Sequence, residues 1–412
     1  MDQQIPRQTG TPPTTVEQTP GQAARMSPDT LAVHAGRGGL RQLGAGVPPI
    51  DRGAFNPLPD VDVGGASYDS LAAGLALADG QVPVYRRLWG PNAARLEEAV
   101  AALDGTKDAV AFSTGMAAVN TLFKIVADTS KRHIVAVRPL YGGTDHTLAR
   151  SPHGIEVTWS APTMVHSALR RDSGLIFVET PANPSMDLID LDELVRQADG
   201  VPVAVDNTFA TPVLQAPARH GVTLVIASAT KFIGGHGDAL GGVISTTPEW
   251  AAKLRAERAL AGNILSPDEA YMLHRGLQTM PVRVRAQQES ARRIAEWLTE
   301  QAAVSRVLYP GLPGCDPQGL VGEGRQMAGP GSMLAFGMHG GYEAATRVAH
   351  SVRLITHAVS LGGVQSLIQH PAALTHRPVE DSAKPDGDLL RVSVGLEDAQ
   401  DLISDLEQAV AA

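Results

Sequence analysis

Apolar positions along the middle of the chain alternate between two rhythms. Short continuous runs, rich in Val and Ile, sit in AVAF (109–112), HIVAVRP (133–139), GLIFVETPANP (174–184), VPVAVDNTF (201–209) and VTLVIASATK (222–231). Such runs predict strands buried on both faces. Between them the spacing changes to three and four, as in Leu96, Val100 and Leu103 after Asn92, and in GMAAVNTLFKIVA after Ser113 and Thr114. Glycine or proline closes these segments, as helix ends require. Strands alternating with helices predict a mostly parallel sheet with helices on both faces, an α/β architecture that binds ligands at the carboxyl ends of its strands. From about residue 265 the texture shifts. SPDEAYMLHRGLQTM and VRVRAQQESARRIAEWL read as helices. SMLAFGM (332–338), LITHAVSL and LLRVSVGL (389–396) read as strands, and Leu402, Ile403, Leu406 and Val410 mark a final helix. The pattern divides the chain into a disordered tail (1–27), a Gly/Pro-rich arm with little regular structure (28–80), an α/β domain (81–264) and a smaller α+β domain (265–412). Ser27-Pro28-Asp29 carries a helix-start signal, and a long irregular arm is of the kind that wraps a partner subunit.

Composition narrows the function classes. The 412 residues are 43% hydrophobic and 19% charged, with a net charge of −9 and no basic stripe, which argues against nucleic-acid or membrane-surface binding. The one cysteine, Cys315, excludes an intramolecular disulfide framework and a thiolate metal cluster within one chain, and no metal site is expected. With no apolar run near membrane length and no basic-then-apolar leader, a cytoplasmic protein is expected.

The candidate chemistry gathers just past the strand ends: Tyr141, Asn183, Asp206, then Ser228, Thr230 and Lys231. Read alone, Lys231 is a loop lysine and Asp206 a helix cap. Together they supply what pyridoxal phosphate asks of a protein. Lys231 can form an imine, and Asp206 can keep the pyridine nitrogen protonated. Gly115, Met116, Ser228 and Thr230 suit a phosphate, and Tyr141 offers a flat ring and a hydroxyl able to move protons.

The motifs STGMAAV (113–119), LYGGT (140–144), ETPANP (179–184), VDNTFATP (205–212), SATKFIGGHGD (228–238), SLGGVQSLIQHPAALTH (360–376) and LRVSVGLED (390–398) run in one order along the chain. In that order they resemble the Cys/Met-metabolism enzymes that use pyridoxal phosphate: cystathionine γ-synthase, cystathionine γ-lyase, methionine γ-lyase and the O-acylhomoserine sulfhydrylases. The resemblance implies the fold-type-I architecture and a homotetramer of dimers with active sites shared across the dimer interface. It makes Lys231 the Schiff-base lysine, Asp206 the pyridine partner, Tyr141 the stacking ring, and Ser228, Thr230, Gly115 and Met116 the phosphate ligands. Tyr85 and Arg87 match a pair that binds the phosphate of the neighbouring subunit. Asn183 would lie near the cofactor's phenolic oxygen, Arg391 would grip the substrate α-carboxylate, and Ser360 and Leu361 would form the substrate-binding turn.

The implied reaction is γ-elimination or γ-replacement on an L-amino acid with a leaving group at Cγ, by way of a vinylglycine-type intermediate. Cystathionine as substrate, β-elimination, and a specialised substitution with S-adenosylmethionine as donor stand as alternatives. Three departures bear on the substrate. Arg86 and Trp89 alter the Tyr-x-Arg segment. Val359 stands where cystathionine γ-lyases resemble one another in a glutamate, so a substrate without a distal amino-acid head, such as methionine or an O-acylhomoserine, is expected. Gly143 replaces a cysteine typical of methionine γ-lyases, leaving room for a bulkier group.

Overall fold

The computed structural model describes residues 26–411. The expected tail therefore lies outside the described residues, apart from Met26, which packs on the core, and Ser27. Ser27 caps the helix Pro28–His34, its side chain accepting the Thr30 N–H, as the start signal indicated.

Seven strands form the larger sheet: β1 (Asp108–Phe112), β2 (His133–Val137), β3 (Glu156–Ser160), β4 (Ser173–Glu179), β5 (Val203–Asp206), β6 (Leu224–Ala227) and β7 (Gly242–Thr246), in the order β1-β7-β6-β5-β4-β2-β3. The continuous apolar runs follow from burial on both sides. Ile134 and Ala136 point to one apolar cluster, with Leu122 and Phe123 of the helix Gly115–Ala127. Val135 and Val137 point to the opposite one, with Leu191 and Leu194 of the helix Leu191–Gln197. Each fully buried Leu, Ile or Phe contributes about 1.5–3 kcal/mol. Phe123 of the helix and Phe177 of β4 add an edge-to-face pair with centroids 5.5 Å apart. A second sheet, of β8 (Val304–Leu308), β9 (Met333–Met338), β10 (Thr356–His357), β11 (Leu367–Gln369) and β12 (Leu389–Ser393), runs β10-β11-β12-β9-β8. The helices Met280–Thr299 and Ala399–Val410 bury Ile294, Leu298, Leu402 and Leu406 against it.

Three elements depart from the expectation. The large sheet is mostly parallel, as expected, but the unforeseen β7, hidden in the glycine-rich stretch after Lys231, pairs antiparallel with both β6 and β1. Inserting one reversed strand leaves β1 running the same way as β2, β4, β5 and β6, so all five deliver their exits to one edge. The arm holds a helix, Val61–Ala72, capped by Asp60, whose side chain accepts the Val63 N–H. Its buried face is Gly64, Ser67 and Leu71, so no apolar period announced it. Conversely, LITHAVSL supplies only the two residues of β10. Beyond them the chain breaks away, with Ser360 at φ +99° and Gly362 at φ +73°. No helix among the described residues is long and apolar enough to cross a membrane.

Candidate active site

The strand exits open into a cavity of about 480 Å³. Every candidate cofactor or substrate residue named above except Tyr85 and Arg87 lines it.

One end is built for an anion. The helix Gly115–Ala127 starts there, its Thr114 cap accepting the Ala117 N–H at 3.0 Å. The backbone is closed in from behind: a Cβ on Gly242 would stand 2.3 Å from the Thr114 carbonyl oxygen, and one on Gly115 would stand 3.1 Å from Ser228 Oγ. Only glycine lets β7 and Ser228 press so close while the first N–H groups of the helix stay open to a ligand. The Thr230 hydroxyl is used locally, donating to the Gly241 carbonyl at 3.2 Å and accepting the Gly241 N–H at 3.0 Å.

Asp206 ends β5 on the cavity wall. Its Oδ1 accepts Thr208 N–H at 3.0 Å and Thr208 Oγ1–H at 2.5 Å, and Thr208 Oγ1 in turn accepts the Ser228 N–H at 2.9 Å. This is an Asx-turn, not a helix cap. Burial pushes the Asp206 carboxyl up, the Thr208 bonds oppose this, and no cation stands against it. A cationic ring nitrogen would supply the missing charge.

Lys231 Nζ donates to Ser360 Oγ at 2.9 Å. Burial, helped by the Arg391 charge, brings its ammonium down to about 8, so a usable fraction is the free, nucleophilic amine near neutral pH. Arg391, on β12, is 3% exposed. It donates to Asn183 Oδ1 at 3.0 Å and to the Ser360 carbonyl at 2.9 Å. With the Gln369 amide oxygen turned toward it, that oxygen accepts from both terminal nitrogens at 3.2 Å. These acceptors are all neutral, and Nε has no partner. A buried guanidinium without a bonded carboxylate, on the wall of a cavity, is a receptor for one.

Tyr141 is 38% exposed and precedes the helix Gly142–Ala149. Its N–H donates to Glu179 Oε2 at 2.6 Å. A Cβ on Gly143 would lie 2.6 Å from Tyr141 Cε1, so the space opened by that glycine belongs to the tyrosine ring rather than to a bulky substrate group. Val359, 53% exposed, and buried Leu361 flank Ser360 on the opposite wall, with Leu374 beside them. Asn183, expected at the phenolic oxygen, spends its side-chain oxygen on Arg391.

Tyr85 and Arg87 stand apart. Tyr85 bridges to Phe55, and Arg87 donates to the Ala259 carbonyl at 2.6 Å with its guanidinium 5.6 Å from the Tyr85 ring centre. The unusual Arg86 donates to the Arg52 carbonyl at 2.8 Å and braces the arm, while Trp89 packs beside Leu71, Leu88 and Ala259. Sequence reasoning missed Glu179's bond to Tyr141. It also missed His376, whose Nε2 lies 3.2 Å from the carbonyls of Leu140 and Asn183 and so ties two strand exits together. Both sit inside quoted motifs, but nothing in their spacing names a partner 38 or 193 residues away.

Comparison with known proteins places this arrangement among relatives. Residues 29–411 match the family described as Cys/Met metabolism PLP-dependent enzyme. An L-methionine γ-lyase of Brevibacterium sandarakinum is 53% identical over 387 residues, covering 94% of this chain and 98% of that protein. Among solved structures, the metB protein of Corynebacterium glutamicum superposes with a TM-score of 0.85 at 35% identity, over 94% of this chain and 99% of that one. A protein described as cystathione gamma lyase from Micromonospora echinospora gives 0.84 at 35% identity, over 94% and 100%.

Proposed function

The chain belongs to the Cys/Met-metabolism family of PLP-dependent enzymes, and on that premise we propose that it is a γ-lyase acting on L-methionine. It is an enzyme of the fold-type-I class, its cofactor is pyridoxal phosphate, and its chemistry is elimination or replacement at Cγ of an L-amino acid. When bound, pyridoxal phosphate supplies an electron-withdrawing ring that stabilises negative charge at the α-carbon of an attached amino acid.

The chain's own residues do the rest. Asp206 would face the ring nitrogen, and the Gly115–Met116 backbone with Ser228 and Thr230 would hold the phosphate. Tyr141 would lie on the ring. Arg391, on the cavity wall with no bonded carboxylate of its own, would take the α-carboxylate. Lys231, released from its resting place, would remove the proton at Cα and then one at Cβ, whose freed electron pair expels the γ-substituent, and would return a proton at Cγ. The Tyr141 hydroxyl would deliver a proton to the departing sulfur.

The observation that carries the substrate is the apolar part of the cavity lining, around the Ser360 that Lys231 touches. Val359, Leu361 and Leu374 give no counter-charge for a distal ammonium but suit a methylthio group. Incubation with L-methionine, cystathionine and O-acetylhomoserine tests this: methanethiol, ammonia and a 2-oxo acid should appear from methionine. A tenfold or greater preference for cystathionine, equal to about 1.4 kcal/mol in the transition state, would overturn it.

The proposal includes a homotetramer with shared sites. Tyr85 and Arg87 lie outside their own chain's cavity, Tyr85 bridged to exposed Phe55 (75%) and Arg87 bonded next to exposed Leu260 (81%), apolar groups suited to cover by a second copy. It keeps the cytoplasmic location expected from the sequence. Activity in the soluble fraction of cells that make the protein would support that location, and activity in the membrane pellet would not.

A further inference from the structure

We infer that Glu179 is a positioning residue: its carboxylate at the end of β4 fixes the backbone of Tyr141 and thereby seats the phenol ring in the cavity. The inference rests on the ring-stacking role proposed for Tyr141 and adds the residue that makes that role possible.

Tyr141 is at φ −49°, ψ 131°, just ahead of the helix Gly142–Ala149, so its N–H has no helical acceptor. That N–H must find another partner or lose the free energy of a bond. Glu179 Oε2 meets it at 2.6 Å, a short contact. The following two residues leave the turn little freedom. A Cβ on Gly142 would collide with the Thr375 carbonyl oxygen at 2.0 Å, so the helix start is already pressed against that loop. A Cβ on Gly143 would strike the tyrosine ring at 2.6 Å. Tyr141 is thus held by its N–H on one side and seated over a glycine on the other. The Tyr141 carbonyl accepts the Thr144 and Asp145 N–H groups as the helix begins, so release of its own N–H frees the contact that ties this turn to β4.

Glu179 occupies a costly place for this purpose. It is 5% exposed and is the register partner of Asp206 on the adjacent parallel strand, so the two carboxyls share one face of the sheet. Burial first, then the Asp206 charge, pushes the Glu179 carboxyl well up. The Tyr141 N–H and the Arg391 charge oppose this. Its hydrogen-bond partners are backbone N–H groups, those of Tyr141 and of Asn183, and the bond to Tyr141 is the one that reaches beyond its own strand exit.

The test uses the full chain stripped of cofactor. Pyridoxal phosphate is titrated back and followed by absorbance, with a thermal melt of each apoprotein alongside. Glu179→Ala should weaken cofactor binding about tenfold, whereas Glu179→Gln, which keeps an acceptor at the same reach, should stay within about threefold of wild type. Glu179→Asp keeps the charge but falls one methylene short, and should weaken binding like the alanine variant, which covers the case of an alanine variant that does not fold. Tyr141→Ala should weaken binding by tenfold or more, and adding Glu179→Ala to it should change little further. Normal binding by Glu179→Asp, equal damage from Gln and Ala, or multiplied effects in the double variant would each overturn the inference while leaving the stacking role intact. Normal binding by Tyr141→Ala would instead overturn that role, and this inference with it.

Discussion

Two arginines mark two differently finished regions of the molecule. Arg391 is buried, aligned by Asn183, Ser360 and Gln369, keeps an unpartnered Nε, and lines a cavity that also holds Lys231 and Asp206. Every group there is set by its own chain. Arg87 lies on the outer side, bonded to a backbone carbonyl and flanked by exposed Tyr85 and Phe55, with no cavity of its own. The first region is a receptor awaiting a small molecule. The second would be completed by a neighbouring chain in the homotetramer proposed above, and its apolar surroundings are of the sort that a protein surface covers. The contrast separates what a single chain can organise from what it delegates.

The sharpest break falls on the finished side. Lys231→Ala should lower turnover by about 10³-fold or more, read as 2-oxo acid formation, because the attacking amine and the proton carrier are one group. Retained activity would make the cavity structural. Next, Arg391→Lys should raise KM about 10- to 100-fold with a smaller change in kcat, since a point charge cannot reproduce a planar two-toothed clamp. A pure kcat loss would move Arg391 away from the carboxylate.

On the delegated side, Arg87→Ala should cost roughly tenfold in kcat/KM. More tellingly, oligomers mixed from Arg87→Ala and Lys231→Ala chains should regain activity that neither parent has. No recovery in verified mixed oligomers would mean that Arg87 serves no neighbour. The rate of cofactor uptake by apoprotein should climb about tenfold per pH unit and level off above about 8, because only the deprotonated Lys231 amine attacks the aldehyde and burial holds its ammonium near that value. A midpoint near the ordinary lysine value would contradict the enclosed environment. Smallest, Val359→Glu should shift relative kcat/KM toward cystathionine by up to about tenfold, with methionine turnover falling less.

The parts of the molecule that were legible in sequence share a physical cause. β2, β4 and β5 were readable because burial on both faces favours nearly unbroken apolar runs rich in Val and Ile. The helix Val61–Ala72 was not, because it packs through Gly64 and Ser67, and close approach of small residues leaves no apolar rhythm. β7 was masked by flanking glycines that exist to let it press on Thr114. At the site, Lys231, Asp206, Tyr141 and Arg391 could be named from motif chemistry, and the fold brings all four to one cavity. Their supports could not be named. Glu179, His376, Thr208 and Gln369 act through bonds to backbone or to distant side chains, and any polar residue of the right reach could have filled those places.

The loop that carries Lys231 has a mechanical consequence. Both of its ends enter adjacent strands of one sheet, β6 and β7, and Thr230 laces its mouth to Gly241 from backbone and hydroxyl alike. The loop is a drawn purse, and its stem cannot swing. Whatever distance the amine travels when substrate arrives must come from rotation about its own four methylenes, with the peptide unit at 231 standing still. Amide exchange there should therefore be as slow during turnover as at rest: the tool moves and its mount does not.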